Sequence, residues 1–500
     1  MPVPATALLV GHGPLSIEDV EQTARRSRVV ALADSSRALI RKSRAVLEDL
    51  LARGERIYGV NTGVGGNIKF QLTPDQAELL QHNIMRHLSC ATGQPLAGDV
   101  VRAAMLLRVA TFATGASAVR AEVVEALIDL LNRGITPVVP RYGSVGASGD
   151  LMPSAYVARV LVGMGGVEYQ GRTMPAIEAL KLADLEPLRF APKDGLALIN
   201  GTTMMTAAAA LMYVDAWNVL RALLSAISLS IEALQAGAEP FAAWVQEVKG
   251  HPGQAAIAEH IREHLAGSKV AGDSGRQSCY SLRCPPQGLG PVWEALEQAR
   301  PVIEREINSA NDNPLIDPKT GALYRAGNFY GGHIARLLDT WKIDFAVMAN
   351  WANALMAVLV DDRLNNGLPA NLVPEPGVNS GLKGMQLSVT SLACAVRQIA
   401  GPSSIHSLPT EQYNEDVVSL GMHAAVTAMD ALECLRNETA MVLLAAAQAA
   451  DLRGAVSKLG TRNQRVHAAI RQVSDFLERD RAMEQDVADV ASLIAGGKLP

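Results

Sequence analysis

Apolar residues recur every three or four positions over most of this chain, the spacing of helices that bury one face. The segments that follow it are Ser35 to Arg53, Pro74 to Thr92, Val100 to Arg133, Thr203 to Ala236, Gly288 to Ala310, Gly332 to Leu359 and Gln412 to Gln448. Gly54 and Gly134 stand where helices should stop. Alternation with a period of two is rare, and Gly166 to Met174 is read as a short hairpin. The pattern predicts a mostly α fold.

Composition sharpens this picture. The 500 residues are 49% apolar and 19% charged, enough for a large buried core and far from the balance of a disordered chain. Aromatics make up only 4%, so the core must be built from Ala, Leu, Val and Met, which suits closely packed helices. The longest apolar stretch, Thr203 to Gly237, has the length of a membrane span. Asp215, Arg221 and Glu232 interrupt it, and each would be costly in hydrocarbon, so it is read as a buried helix of a soluble protein. Net charge is −5 and no run of like charges forms a nucleic-acid arm, so neither nucleic acid nor a membrane is expected as a partner. Five cysteines without a Cys-x-x-Cys pair, and no basic stretch before the first apolar run, point to the cytoplasm.

Short glycine- or proline-rich loops with unusual polar content separate the helices. They include Tyr58 to Gly66, Gly143 to Asp150, Leu198 to Thr202, Gln277 to Gln287, Asn311 to Pro314, Gly327 to Phe329 and Thr410 to Glu415. A rigid scaffold with special loops is a common way to place chemistry, although any one loop can be a plain connection. The sequence contains no Walker A loop, no Gly-x-Gly-x-x-Gly, no His-Glu-x-x-His and no Gly-x-Ser-x-Gly. Metal catalysis and phosphoryl transfer are therefore not expected.

The triplet Ala147-Ser148-Gly149 offers other chemistry. Gly143, Gly146 and Gly149 allow tight backbone conformations, and Asp150 and Pro153 suggest a helix starting just beyond. Such a loop could bring the Gly149 amide nitrogen onto the Ala147 carbonyl carbon. Attack there, with loss of two waters including the Ser148 hydroxyl, gives a 4-methylidene-imidazol-5-one ring. At this point the sequence resembles the aromatic amino acid ammonia-lyases and the related aminomutases. The matching strings are Tyr142 to Pro153, Tyr58 to Gly63, Leu198 to Thr202, Tyr280 to Cys284, Asn311 to Pro314, Asn328-Phe329, and Glu411-Gln412 with Asn414.

The resemblance implies a long-helix bundle of the fumarase/aspartase-like ammonia-lyase type, assembled as a homotetramer with active sites shared between chains. It divides the chain into residues 1–200, carrying the prosthetic loop, and residues 201–500, the central and C-terminal helices. The size is that of bacterial members, without the shielding domain of the plant enzymes. The ring formed from Ala147, Ser148 and Gly149 is the implied cofactor, with no metal and no dissociable group. Tyr58 falls at the family's base position, which requires an environment favouring the phenolate. Arg283 suits the substrate carboxylate through its planar fork. Tyr280 and Asn200 match positions that contact the amine and the ring, Gln277, Asn313 and Gln412 add polar contacts, and Phe329 supports the ring. Glu411 either receives the ammonium proton or orders a helix start. Where the family often has an acidic residue after Gln277, this chain has Ser278 and Cys279 before Tyr280; Cys279 is read as packing.

Substrate choice is read from His87-Leu88, which follows Leu80-Gln81-His82-Asn83. A His-Leu pair resembles the tyrosine ammonia-lyases: His87 could hydrogen-bond a para-hydroxyl and Leu88 could pack on the ring. This implies L-tyrosine as substrate, trans-p-coumarate and ammonia as products, and 3,4-dihydroxyphenylalanine as an additional substrate. Lys383 and Glu411 look more like the phenylalanine enzymes, and a phenylalanine or histidine lyase or a 2,3-aminomutase stays open. The contrasting reading, an inactive helical scaffold, predicts no ring and no mass loss of two waters.

Overall fold

The computed structural model describes residues 7–272 and 277–500. Its first helices are α1 (Ile17–Arg26) and α2 (Asp34–Ala52), accompanied by parallel strands Leu8–Val10 and Val30–Leu32. α3 (Pro74–His87) starts on a capping box between Thr73 and Gln76, with Pro74 in its first turn. It ends five residues before the expected Thr92, which instead begins a strand paired with Pro140–Tyr142. The helix expected from Val100 to Arg133 is two, α4 (Gly98–Ala113) and α5 (Ala121–Arg133), because the chain turns at Gly115 and Ala118 with φ of 74° and 53°.

Then come α6 (Leu151–Ala158), the expected hairpin as Gly166–Tyr169 against Arg172–Pro175, α7 (Ala176–Leu182), α8 (Asp194–Ile199) and the 31-residue α9 (Thr203–Ala233). The remainder is mainly helical: α10 (Ala243–Glu247), α11 (Pro252–Leu265), α12 (Tyr280–Arg283), α13 (Pro285–Ile307) and α14 (Gly332–Val360), with a short antiparallel pair, Leu315–Ile316 against Leu323–Tyr324, between the last two. α15 (Lys383–Ile399), α16 (Gly421–Leu452), α17 (Thr461–Arg471) and α18 (Glu484–Ala495) complete the chain. The last long helix begins at Gly421 rather than Gln412, because Glu411, Gln412 and Tyr413 all have positive φ, 48°, 56° and 62°.

Contacts group the chain into two units of three segments each, where the sequence reading made a single division after residue 200. One comprises Met1–Leu211, Arg300–Asp339 and Pro402–Val426; the other Met212–Ala299, Thr340–Gly401 and Thr427–Pro500. In the first unit α4 is buried on every side from Val100 to Ala113, including two arginines. Their cost is met by carbonyls at helix ends. Arg102 donates to Thr23, Ala24 and Leu131 at 3.2 Å each, and Arg108 donates to the carbonyls of Ala197 and Asn200 at 3.2 and 2.7 Å.

In the second unit the interior is dominated by Ala and Leu from α9 and α16, small enough for helices to approach closely. α9 and α14 are long and apolar enough to cross a membrane, yet 78% and 56% of their most apolar windows are buried within the protein. Glu232, one of the charges that interrupt α9, is buried and holds the start of α17. Its two oxygens accept from the Gly460 amide at 2.7 Å and the Asn463 side chain at 2.6 Å.

Candidate active site

The loop holding Ala147-Ser148-Gly149 is pinned to the turn before α9. The Gly201 amide donates to the Ser148 carbonyl at 3.1 Å, and the Asp150 amide donates to the Gly201 carbonyl at 2.7 Å. Ser144 Oγ closes the loop on itself by donating to the Gly149 carbonyl at 3.1 Å. Gly149 has φ of 74°, and a Cβ there would lie 2.1 Å from the Gly201 oxygen and 2.8 Å from the Phe329 oxygen. No other residue fits, and the backbone of Phe329 is thereby placed against the triplet.

A helix does begin just after Asp150, but the Asp150 side chain does not cap it. Its Oδ2 instead accepts from the Met204 and Met205 amides at 2.8 and 2.9 Å, capping α9. Oδ1 has no partner among the described residues, and burial pushes this carboxyl up to about 7 against those two hydrogen bonds.

Asn200 ends α8. Its Nδ2 donates to the Asn313 carbonyl at 2.9 Å and lies 3.4 Å from Asp312 Oδ1. Asp312 is fully buried against Lys193, with Nζ 2.9 Å from Oδ2 and 3.1 Å from Oδ1. The Asn313 side chain accepts from the Ala326 amide at 2.9 Å, holding the segment that leads to Phe329. A buried ion pair therefore stands directly behind the amides expected to face the ring.

Tyr58 meets a different set of groups. Its hydroxyl oxygen accepts from the Gly65 amide at 2.8 Å, and the next amide, Gly66, donates to both oxygens of Glu411 at 3.1 and 3.0 Å. A Cβ on Gly65 would lie 2.5 Å from the Glu411 carboxyl, and one on Gly66 would lie 3.2 Å from Gln412 Oε1. Burial, then the charges of Glu415 and Glu411, push the Tyr58 phenol above its usual range; the Gly65 hydrogen bond acts the other way. The expected phenolate-favouring environment is thus reduced, within this unit, to that one amide. Glu415, four residues beyond Glu411, accepts from Thr410 Oγ1 at 2.9 Å and lies 3.5 Å from Ser148 Oγ, a long contact that links the acidic turn to the triplet.

His87 is the last residue of α3 and exposed, while Leu88 is buried. Burial of part of its ring pushes the His87 imidazole below its usual value, which favours the neutral form. The helix is fastened by Gln81, which is fully buried. Gln81 Nε2 donates to the Gly59 carbonyl at 3.1 Å, and its Oε1 accepts from the Leu196 amide at 3.0 Å. One side chain thus ties α3 to both the Tyr58 loop and α8.

The first unit therefore brings together Tyr58, Ser148, Gly149, Asn200, Asn313, Phe329, Glu411 and Gln412. Gln277, Tyr280 and Arg283 belong to the second unit, where they form a cluster of their own. The Arg283 guanidinium lies 4.8 Å from the centre of the Tyr280 ring. With its amide oriented oxygen-inward, Gln277 accepts from both terminal nitrogens of Arg283 at 2.7 and 3.0 Å. Tyr280 is exposed, and so is Cys279, whose thiol meets Ser281 Oγ at 3.3 Å; the reading of Cys279 as packing is corrected. Among the described residues no group of three or more His, Cys, Asp or Glu side chains is placed to hold a metal ion.

Sequence reasoning missed Glu415, the Lys193–Asp312 pair, Arg108 and Gln81. The two arginines on α4 carried a signal, since arginines on a helix apolar all round must be paired inside. Nothing local marks Lys193 and Asp312, which are 119 residues apart.

A family model described as aromatic amino acid lyase matches residues 15–472. The histidine ammonia-lyase of Geobacillus thermodenitrificans is 39% identical, the match covering 97% of this chain and 96% of the relative. The solved phenylalanine aminomutase of Pantoea agglomerans superposes with a TM-score of 0.94 at 32% identity over 99% of this chain and all of that one. The tyrosine aminomutase of Streptomyces globisporus superposes with a TM-score of 0.93 at 34% identity over 98% of each chain. A pinned triplet with glycine where nothing larger fits, set among these relatives, identifies the chain as an enzyme of the aromatic amino acid lyase family, its methylidene-imidazolone group built from its own Ala147, Ser148 and Gly149.

Proposed function

We propose that this enzyme converts L-tyrosine to trans-p-coumarate and ammonia. The observation that carries the reading is His87-Leu88 at the end of α3, the helix that Gln81 fastens to the Tyr58 loop. A neutral His87 can share a hydrogen bond with a para-hydroxyl, and a site built for that bond disfavours a ring lacking it.

In the reaction the β-carbon loses a proton, the electron pair of that C–H bond becomes the new Cα–Cβ double bond, and the C–N bond breaks. The ring formed from Ala147, Ser148 and Gly149 supplies the electrophile that turns the amine into a leaving group. Tyr58 takes the β-proton, its phenolate steadied by the Gly65 amide. Arg283, oriented by Gln277, holds the substrate carboxylate. Asn200 and Tyr280 face the amine and the ring, Asn313 and Gln412 add polar contacts, and Phe329 backs the ring. Both oxygens of Glu411 already accept from Gly66, so this residue first sets the Gly65–Gly66 turn, and the departing ammonium finds its charge there. The working form is a cytoplasmic homotetramer with sites shared between chains.

Histidine is the competing substrate, because a relative named for it is 39% identical over nearly the whole chain. An aminomutase product competes because solved neighbours carry that name. Parallel incubation with L-tyrosine, L-phenylalanine and L-histidine, with products identified by mass and NMR, decides among them. p-Coumarate should dominate, and His87→Phe should shift preference toward phenylalanine by about tenfold or more. Urocanate or cinnamate as main product, or unchanged selectivity in the variant, removes His87 from the argument; a β-amino acid makes the enzyme a mutase.

A further inference from the structure

A small cavity of about 100 Å³ lies in the second unit, away from every residue assigned to the reaction. Asn218 and Arg221 of α9, His260 of α11 and Arg462 of α17 line it, with apolar walls from Ile494 and Leu499. A space of this size has room for a ligand of a few heavy atoms.

Its polar groups are unevenly satisfied. Arg462 Nη1 donates to Glu263 at 2.6 Å, and its Nε meets the Pro500 oxygen at 3.5 Å. Ser225 Oγ is spent on the Arg221 carbonyl at 2.9 Å, and Asn218 Nδ2 makes only a 3.5 Å contact to the Ala495 carbonyl. Arg221 has no carboxylate partner among the described residues; its guanidinium lies 5.3 Å from the centre of the Trp217 ring, which keeps it on this side of α9. His260 is 9% exposed, and its Nε2, fully removed from solvent, has no hydrogen-bond partner among the described residues. Burial first, then the nearby His264, Arg462 and Arg221, push its imidazole down to about 3. A buried polar nitrogen without a partner costs free energy that an acceptor would recover. Here it coincides with two guanidinium groups: Arg462 faces Glu263 and the main-chain oxygen of Pro500, while Arg221 faces no carboxylate among the described residues.

We propose that this cavity is a binding site for a small oxyanion of phosphate size. Arg221 and Arg462 supply the charge, and His260 Nε2–H and the Asn218 amide supply neutral donors. A negative ligand would accept from both guanidinium groups, from the Asn218 amide and, with the His260 proton on Nε2, from that buried nitrogen as well. An effector held here would act on α9, α11 and α17, none of which carries a residue assigned to the reaction.

Isothermal titration of the intact protein with inorganic phosphate, at ionic strength held constant with chloride, tests this. One saturable site per chain is expected, with Kd on the order of 1 mM or tighter. Arg221→Gln, at an exposed position that leaves the fold intact, should weaken binding about tenfold. His260→Phe, which keeps the ring volume, should weaken it similarly while leaving Arg221 in place. Acetate titrated in parallel distinguishes a preference for the tetrahedral anion from a site for any carboxylate; saturable binding of either that is lost in both variants supports the oxyanion site. Absence of saturable heat with both anions, or binding unchanged in both variants, overturns it.

Discussion

At Gly149 a single hydrogen decides whether the prosthetic group can form. A methyl there would sit 2.1 Å from the Gly201 oxygen, so Gly149→Ala should displace the loop and block cyclisation. Its intact mass should lack the loss of two waters expected of wild type, as should that of Ser148→Ala, while both remain folded. Tyr58 makes a prediction of the opposite kind, in pH. Its pKa is pushed up, so below that value the ionised fraction grows with pH, and kcat/KM should climb by up to about tenfold per pH unit through neutrality. Tyr58→Phe should remove that limb with most of the activity. A flat profile in wild type would mean that another group takes the proton.

Among the elements, what the sequence disclosed and what it hid divide along physical lines. The long helices were legible because their apolar period runs unbroken for many turns, as in α9 and α14. The break between α4 and α5 was hidden because α4 is buried on all sides and so has no polar face whose rotation would mark its end. The false start at Gln412 came from apolar spacing that persists through a turn held left-handed at three successive residues, a conformation costing of order 1–3 kcal/mol each. Such strain needs support, and the Glu411 contact with Gly66 provides part of it.

In the site, residues carried by contiguous motifs were readable, whereas those acting across the fold were not. Gln81 belongs to a quoted string yet its two long-range hydrogen bonds have no local signature, and Asp312 looks like one more loop aspartate. Lys193→Met would leave Asp312 as an unpaired buried charge, so unfolding should show a loss of about 3–5 kcal/mol. Asn200 and Asn313 would lose their backing, and kcat should fall with it. A loss under about 1 kcal/mol would mean that water already reaches the pair.

For the whole molecule, the separation of Tyr58 and Arg283 into different contact units makes sharing of sites testable by mixing. Tyr58→Phe and Arg283→Gln proteins, each inactive alone, should regain up to about a quarter of wild-type activity when co-refolded, if the two residues of a site come from different chains. No recovery would assign both to one chain. Size-exclusion with light scattering of the same samples reports their oligomeric state.

The double attachment of the triplet loop, through Gly201 and through the Asp150 carboxylate at the head of α9, has a consequence for the life history of each molecule. The chain segments that confine the loop lie more than 50 residues apart, so they are brought together by folding rather than by neighbourhood in sequence. Cyclisation, once done, is covalent and outlasts any later unfolding. The mass of a denatured or aggregated sample therefore keeps a permanent record of the fraction that had once been native, and chains that misfolded from the start remain two waters heavier.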